Sequence, residues 1–457
     1  QALFPQNNIT EDVLDEAFGF FPKAVQDEGI DRIKKVLLAR KSNLQKTAEE
    51  YYGLLNKYAM VTGTDKDDFF TITQLSNGNT QVVGQRIIKG DKGEVFYKKD
   101  FNPETTKEIW VYGLDDDDQF VVQGKKGKIK LRLVGGQNND VYNIIDSRGV
   151  YIYDQKAKKN TLKNIDGAKL RLANDYETNT YQPIKYKKSN NMIIPSIGSN
   201  PDDGFKMGFT NIYTFNGFQQ HPFTSQHTFN AAFYFATSGY DFSYKGEFAR
   251  VFGKANLVLG AKFTSPNYSI NFFGWGNETE NLDDDLGKDF NRVKLRTIAL
   301  TPSVVWRGGS GSQFRLGVNY ESVEVEETSD RFINTFYVAS GEENHKNFVG
   351  AEMQYSFSNA DNVAFPTLGM STSLLMGYKT GFENGSQGFG YLVPSLSFDY
   401  KLIPSGRLVL ATKWKAHLNL GDGYEFYQAA SIGGLDGLRG FRNQRFSGKR
   451  SFYQNID

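Results

Sequence analysis

Between Arg407 and Leu420 the chain alternates without a break. Leu408, Leu410, Thr412, Trp414, Ala416, Leu418 and Leu420 fall on one face of an extended strand. Arg407, Val409, Ala411, Lys413, Lys415, His417 and Asn419 fall on the other. A side-chain period of two, sustained this long with charges confined to one face, fits a strand between an apolar and an aqueous medium. The pattern recurs. Tyr240, Phe242, Tyr244 and Phe248 oppose Asp241, Ser243, Lys245 and Glu247, and Val349, Ala351, Met353, Tyr355 and Phe357 oppose Gly350, Glu352, Gln354 and Ser356.

Alternation alone also suits a soluble sandwich, but length separates the two. Sandwich strands run about 5 to 6 residues, whereas a tilted membrane strand needs about 9 to 11. The strands expected here lie near 190–198, 204–215, 225–237, 239–251, 254–265, 291–306, 312–326, 347–358, 367–379, 390–402 and 407–420. Aromatics gather at their ends, at Phe215, Tyr240, Tyr320, Tyr378 and Tyr400, as interfacial girdles require. Their connections sort by parity. One set is moderate to tight (216–224, 252–254, 307–311, 359–366, 403–406), and the other lengthens after two short members (266–290, 328–346, 380–389, and 421 onward). Short turns on one side and long loops on the other are the habit of outer-membrane barrels.

Composition agrees. Mean hydropathy is −0.50, and no run reaches the ~18 apolar residues of a spanning helix. Aromatics make up 14%, with 37 Phe and 25 Tyr, and there are 46 glycines. The 53 basic and 52 acidic residues leave a net charge of +1, which gives no reason to expect nucleic acid. There is no cysteine, so disulfides and thiolate-bound metals are excluded. No signal peptide is visible at Gln1, so an upstream segment is expected.

Ahead of the alternating region stand two smaller zones. Residues 1–66 read helical: Thr10 before Glu11 and Asp12 is a helix start. The run from Asp31 to Tyr58 then spaces Ile33, Val36, Leu37, Leu44, Tyr51, Leu54 and Leu55 helically, as in a hairpin packed on a neighbour. Residues 67–188 read as short strands with hairpin turns at Ser76-Asn-Gly-Asn and Gly90-Asp-Lys-Gly. Gly113-Leu-Asp-Asp-Asp-Asp-Gln-Phe-Val-Val is echoed by Gly135-Gly-Gln-Asn-Asn-Asp-Val-Tyr-Asn-Ile, which suggests stacked turns of a small β-roll. The second copy is similar to the calcium-binding Gly-Gly-x-Gly-x-Asp repeat, with Asn138 in place of the third glycine. Asp115, Asp116, Asp117, Asp118 and Asp140 are therefore either turn residues or candidate ligands for calcium, which takes six to eight oxygens. No other cofactor is expected.

The segment after the eleventh strand is Ser431-Ile-Gly-Gly-Leu-Asp-Gly-Leu-Arg-Gly-Phe-Arg. Gly433, Gly434, Leu438, Arg439, Gly440 and Phe441 resemble the sixth-loop signature of the BamA/TamA outer-membrane assembly-factor superfamily, the bacterial surface antigen barrels. The following Gly448-Lys-Arg-Ser-Phe-Tyr-Gln-Asn-Ile-Asp is similar to that family's twelfth strand. The resemblance implies a mostly β chain: a transmembrane antiparallel barrel of 16 strands over 189–457, about 12 of them present, continuing beyond Asp457. It also implies that the loop folds back inside, with its arginine on a carboxylate of the inner wall. A guanidinium in a narrow lumen needs such a partner. Glu247, Glu321, Glu352, Asp399 and Asp457 are the candidates.

The helical stretch ending Tyr51-Tyr-Gly-Leu-Leu-Asn-Lys-Tyr-Ala, the segment Lys107-Glu-Ile-Trp-Val-Tyr-Gly-Leu-Asp-Asp-Asp-Asp-Gln-Phe and the loop Phe272-Phe-Gly-Trp-Gly-Asn resemble Bacteroidota barrels preceded by a calcineurin-like metallophosphoesterase. The chain holds no such catalytic site. Its four histidines, His221, His227, His345 and His417, all lie in the barrel zone and in no metal-binding cluster. Whether the whole protein is an enzyme stays open. The expected function is outer-membrane biogenesis, inserting or translocating proteins or lipids. Outer-membrane lipid, client barrels and other assembly subunits would be its partners, and the N-terminal region would face the periplasm. A membrane-anchored phosphoesterase and a passive pore are the alternatives.

Overall fold

The computed structural model describes all residues except 1–2, 125–126, 146–147, 184–187, 201, 203, 220–221, 335–343, 363, 383–386 and 435–436. The chain forms two compact units, Gln1–Lys185 and Tyr186–Asp457.

The first unit opens with helices α1 (Leu3–Asn8), α2 (Glu11–Gly19), α3 (Glu28–Ser42) and α4 (Leu44–Leu55). Thr10 caps α2, its hydroxyl accepting from Val13 N at 3.3 Å, with Glu11 and Asp12 in the first turn. Asp27 caps α3 by accepting from Gly29 N at 2.8 Å. Asn43 splits the run expected from Asp31 to Tyr58 into two helices. These helices do not pack as a buried hairpin: among their described residues only Leu14 is buried, and Ile33, Val36, Leu37, Leu54 and Leu55 are exposed.

Eleven strands follow: β1 (Tyr58–Thr62), β2 (Asp68–Gln74), β3 (Thr80–Ile88), β4 (Asp91–Phe101), β5 (Glu108–Leu114), β6 (Gln119–Gly124), β7 (Lys130–Gly136), β8 (Val141–Ile144), β9 (Val150–Tyr153), β10 (Thr161–Ile165) and β11 (Lys169–Leu170). One sheet has the order β1-β5-β7-β9-β11 and the other β10-β8-β6-β2-β3-β4. From β5 onward the chain alternates between sheets and each strand pairs in parallel with its counterpart one coil away, which defines a β-roll. The short helix α5 (Tyr176–Asn179) follows. Phe70, Phe120 and Tyr142 stack along the interior at centroid spacings of 5.3 and 5.2 Å. The β3–β4 hairpin interrupts the roll. Its central pair is Lys89-Gly90, both at positive φ, two positions earlier than the centre of the expected turn.

The second unit is an antiparallel sheet taken in chain order: β12 (Asn190–Asn200), β13 (Gly204–Phe215), β14 (Ser225–Tyr234), β15 (Gly239–Phe252), β16 (Ala255–Thr264), β18 (Arg292–Arg307), β19 (Ser312–Val325), β20 (His345–Ser358), β21 (Gly369–Gly381), β22 (Phe389–Lys401), β23 (Val409–Leu420) and β26 (Arg450–Ile456). A short β17 (Ser269–Asn271) adds to β18, helix α6 (Asp283–Leu286) lies in the same connection, and β24 (Ala430–Ile432) pairs with β25 (Phe446–Gly448). The expected strands match these bounds to within a few residues, because alternation fixes register wherever the two faces see different media. One face exposes apolar side chains such as Phe209, Leu316, Val318, Met353 and Tyr355. The other carries ion pairs.

The sheet is rolled. Arg292, at the start of β18, donates to Asp202 O in the β12–β13 turn. Strand spacing would put these positions roughly 20 Å apart in a flat sheet, beyond the reach of an arginine side chain. β12, at one end of this order, contains Pro195, which has no N–H to donate and is tolerated at an edge.

Candidate functional site

The candidate site is the 421–449 connection between β23 and β26, together with the wall it meets. The connection turns through a 3-10 segment, Phe426–Gln428, closed by a reciprocal cap between Glu425 and Gln428. It then forms the β24–β25 hairpin, with the described residues 433–434 and 437–445 as its tip. Gly433 sits at φ +137°, where an added Cβ would lie 2.3 Å from Arg442 O. Gly434 sits at φ +74°, where a Cβ would meet Asn443 Oδ1 at 2.0 Å. The glycine pair therefore exists so that two backbone segments can cross closely.

The tip lies on the wall. Asn455 Nδ2 donates to Gly437 O at 3.2 Å, and Asn419 Nδ2 donates to Gln428 O at 3.0 Å. Gln428 Nε2 donates to Glu321 at 3.2 Å, and Lys346 Nζ to Glu425 at 2.6 Å. Arg439 pairs with Asp457, and both side chains are about half exposed. The other four candidate partners are occupied elsewhere or stand apart. Glu247 holds Arg307 and accepts from Asn256 at 2.6 Å. Glu321 holds Lys379 at 2.7 Å, and Glu352 holds Arg315 at 2.6 Å while accepting from Tyr391 at 3.0 Å. Asp399 makes no ion pair among the described residues. Three of these four wall carboxylates are matched to a cation, and Arg439 pairs just past the end of β26. Gly440 lies at φ +92° in open space, Phe441 is exposed and Leu438 half-buried.

The loop's well-shielded guanidinium belongs instead to Arg442, whose side chain is 11% exposed. Its Nε lies 2.6 Å from Asp202 Oδ1, Nη1 2.5 Å from Asp283 Oδ1 and Nη2 3.2 Å from Asn271 Oδ1, and the group sits 5.6 Å from the Phe273 ring centroid. Asn443 N donates to the second oxygen of Asp202 at 3.1 Å. Arg445 stacks at 4.9 and 4.6 Å on Phe273 and Phe446. Gly276 N reaches Ser447 O at 2.8 Å, and Phe272, Val293, Val325, Ile333 and Phe426 pack beneath. Three connections on the long-loop side, 201–203, 265–291 and 421–449, are thus tied through one side chain. Sequence reasoning missed Arg442. The only signal was a second arginine three residues past Arg439, with acidic turns at Asp202 and Asp283 far away in the chain.

In the first unit the acidic residues of the roll form a ladder. Asp68 N donates to Asp118 Oδ1 and Asp118 N to Asp140 Oδ1, both at 2.8 Å, and Asp140 N donates to Asn160 at 3.1 Å. A second ladder runs the other way: Asp117 N to Asp67, Asn139 N to Asp117, Lys159 N to Asn139. The buried ladder aspartates Asp68, Asp118 and Asp140 each stand five residues after a glycine (Gly63, Gly113 or Gly135) whose missing Cβ makes room for the carboxylate. Asp115 accepts from Asn138 at 3.1 Å and Asp116 faces Lys66 at 3.5 Å. The five candidate calcium ligands are thus engaged separately, and among the described residues no three acidic or histidine groups are arranged around one ion. Burial, reinforced by the charge of Asp140, pushes Asp118 up to about 9. Burial and the neighbouring Asp154 likewise raise Asp140.

The histidines stay apart. His227 contacts Tyr244 Oη at 2.9 Å, His345 contacts Ser322 at 2.9 Å and His417 contacts Asn419 at 3.2 Å. His221 lies outside the described residues.

Residues 252–455 match the family model of the Omp85 superfamily domain. The matched segment runs from the end of β15 into β26 and contains the whole 421–449 connection. Such a domain implies residence in the bacterial outer membrane. No curated protein matches the chain. Among solved structures it is similar to BamA from Haemophilus ducreyi lacking POTRA domains 1-3, at 16% identity and a TM-score of 0.42, covering 56% of this chain and 47% of that one. The chain therefore spans about half the length of that structure. The upstream phosphoesterase implied by the sequence resemblance lies outside what these comparisons touch.

Proposed function

We infer that this chain carries the membrane barrel of an outer-membrane biogenesis factor, one that inserts or translocates polypeptides, or lipids, at the outer membrane. In this reading the N-terminal unit faces the periplasm. Outer-membrane lipid surrounds the sheet, and client barrels and further assembly subunits are the partners. The observation that supports it best is the return of 421–449 to the inner wall, with Asn455 on Gly437 O and Arg439 on Asp457. A long segment laid along the lumen obstructs the channel that a passive pore would need. Pro195 adds a second element: an edge strand short of one ladder donor is easier to part from a neighbour than an unbroken one, as lateral opening requires.

The test is client folding. Full-length protein is reconstituted in vesicles of outer-membrane lipid, an unfolded client barrel is added, and its folding is followed by gel mobility. The expected result is acceleration over empty vesicles, with at least a severalfold loss in Arg439→Ala. Steady ion conductance without any acceleration would reject assembly in favour of a passive pore.

A further inference from the structure

Between the inner face of β23 and β26 and the base of the folded-back loop lies a cavity of about 230 Å³. Its polar lining consists of Lys415, His417, Tyr453, Ser431, Ser451 and Gln444. Among the described residues the lining holds no carboxylate. Lys415 has no ion-pair partner among the described residues, although every acidic candidate on the neighbouring wall except Asp399 is matched to a cation. The Tyr453 hydroxyl is buried and without a hydrogen-bond partner, in a residue 7% exposed. Gln444 turns its carbonyl oxygen to Asn271 N at 3.4 Å, which leaves its amide N–H groups available. His417 uses Nε2 on Asn419 at 3.2 Å and has no other partner among the described residues. Register places Lys415 opposite Tyr453 and His417 opposite Ser451, so the four side chains form a compact block on adjoining strands.

An ammonium and a buried hydroxyl lining one partly open pocket need an acceptor. Water accepts, but brings its own hydrogens into a space already rich in donors. An oxyanion accepts from all of them and also neutralises the lysine through short, charge-assisted bonds. We propose that this cavity is a binding site for a phosphate-type oxyanion, held by Lys415 and Tyr453 with the serine hydroxyls and the Gln444 amide completing its shell. The site goes beyond the assembly reading and does not depend on it. The same chemistry is offered by free inorganic phosphate and by a phospholipid headgroup.

Two arms separate these sources. In the first, full-length protein in a phosphate-free sugar detergent is titrated with inorganic phosphate by calorimetry. One saturable site per chain is expected, weakened at least tenfold in Lys415→Met and severalfold in Tyr453→Phe, and kept in Lys415→Arg. Ser451→Asp, which supplies an internal carboxylate, should abolish binding while leaving the protein folded. In the second, phospholipid copurifying with the protein is counted by mass spectrometry. Bound lipid that falls in Lys415→Met and Ser451→Asp, with a silent phosphate titration, assigns the oxyanion to a headgroup. Phosphate binding and lipid content that are both absent, or both indifferent to Lys415→Met and Ser451→Asp in folded protein, overturn the proposal.

Discussion

Arg442 Nε lies 2.6 Å from Asp202 Oδ1, across a sequence separation of 240 residues. The contact joins the connection between the first two strands of the sheet to the connection before the last. It gives the long-loop side a common anchor that Arg439, half exposed on Asp457, does not provide.

Removing that anchor should cost far more than removing Arg439. Truncating one partner of a buried ion pair strands the other and costs about 3–5 kcal/mol, whereas an exposed pair is worth about 0.2–1 kcal/mol. Arg442→Ala should therefore lower the unfolding midpoint sharply and open 265–291 to protease, while Arg439→Ala leaves both near wild type. Equal effects would show that Arg442 is not the anchor.

The two faces of the sheet should tolerate charge unequally. Val318 is on the exposed apolar face and Ser356 on the ion-paired one. Arginine on a lipid face near the bilayer midplane costs about 2–4 kcal/mol. Val318→Arg should reduce unfolding free energy in vesicles by that order, and Ser356→Arg by much less. A reversed order would mean that the face assignment is inverted.

Asp118 gives the N-terminal unit a pH dependence of definite sign. Its carboxyl is raised from an ordinary 3.8 to about 9 by burial first and the charge of Asp140 second. A group with a raised folded pKa contributes fully below its unfolded value and loses that contribution as pH climbs through the folded one. The wild-type roll should therefore weaken between about pH 4 and 9. Asp118→Asn, which mimics the protonated acid, should match wild type near pH 4 and exceed it at pH 8 by at least about 1 kcal/mol, since one decade of proton affinity is worth about 1.4 kcal/mol. Hydrogen exchange at β6 and β8 reads the difference. A variant less stable than wild type at pH 8 would contradict a protonated Asp118.

Gly113 tests the ladder sterically. An added Cβ would sit 1.9 Å from Asp118 Oδ2 and 2.5 Å from Gly135 O. Gly113→Ala should cost about 1–3 kcal/mol as overpacking, read as lost protection in β5 and β6. Gly90→Ala should act through its positive φ alone, because a Cβ there meets nothing within 4 Å. Comparable protection in wild type and Gly113→Ala would mean that the carboxylate does not lie where the ladder puts it.

The strands were legible because their rule is local: Arg407 to Leu420 reveals its two faces without any knowledge of neighbours. Loop parity was legible for the same reason. The roll was half legible. Gly113 and Gly135 echo each other in sequence, but the coil at Gly63 and Asp68 is hidden by the inserted β3–β4 hairpin, and the last coil ends in Asn160 rather than aspartate. Turn residues and calcium ligands look alike in sequence, whereas adjacent aspartates on an extended chain point in different directions, so Asp115 to Asp118 take four separate partners. Arg442 was out of reach, since Asp202, Asn271 and Asp283 become its neighbours only once the sheet rolls.

The return of the 421–449 connection to the inner wall is the central claim, and a paired-cysteine experiment addresses it most directly. The sequence has no cysteine of its own, so Gly437→Cys with Asn455→Cys reports one contact. Oxidation of cells displaying the double variant should give a mobility-shifted, reductant-sensitive species in most of the protein, with none from either single variant. Cysteines that both label with maleimide yet never join would place the tip away from the wall and contradict the account.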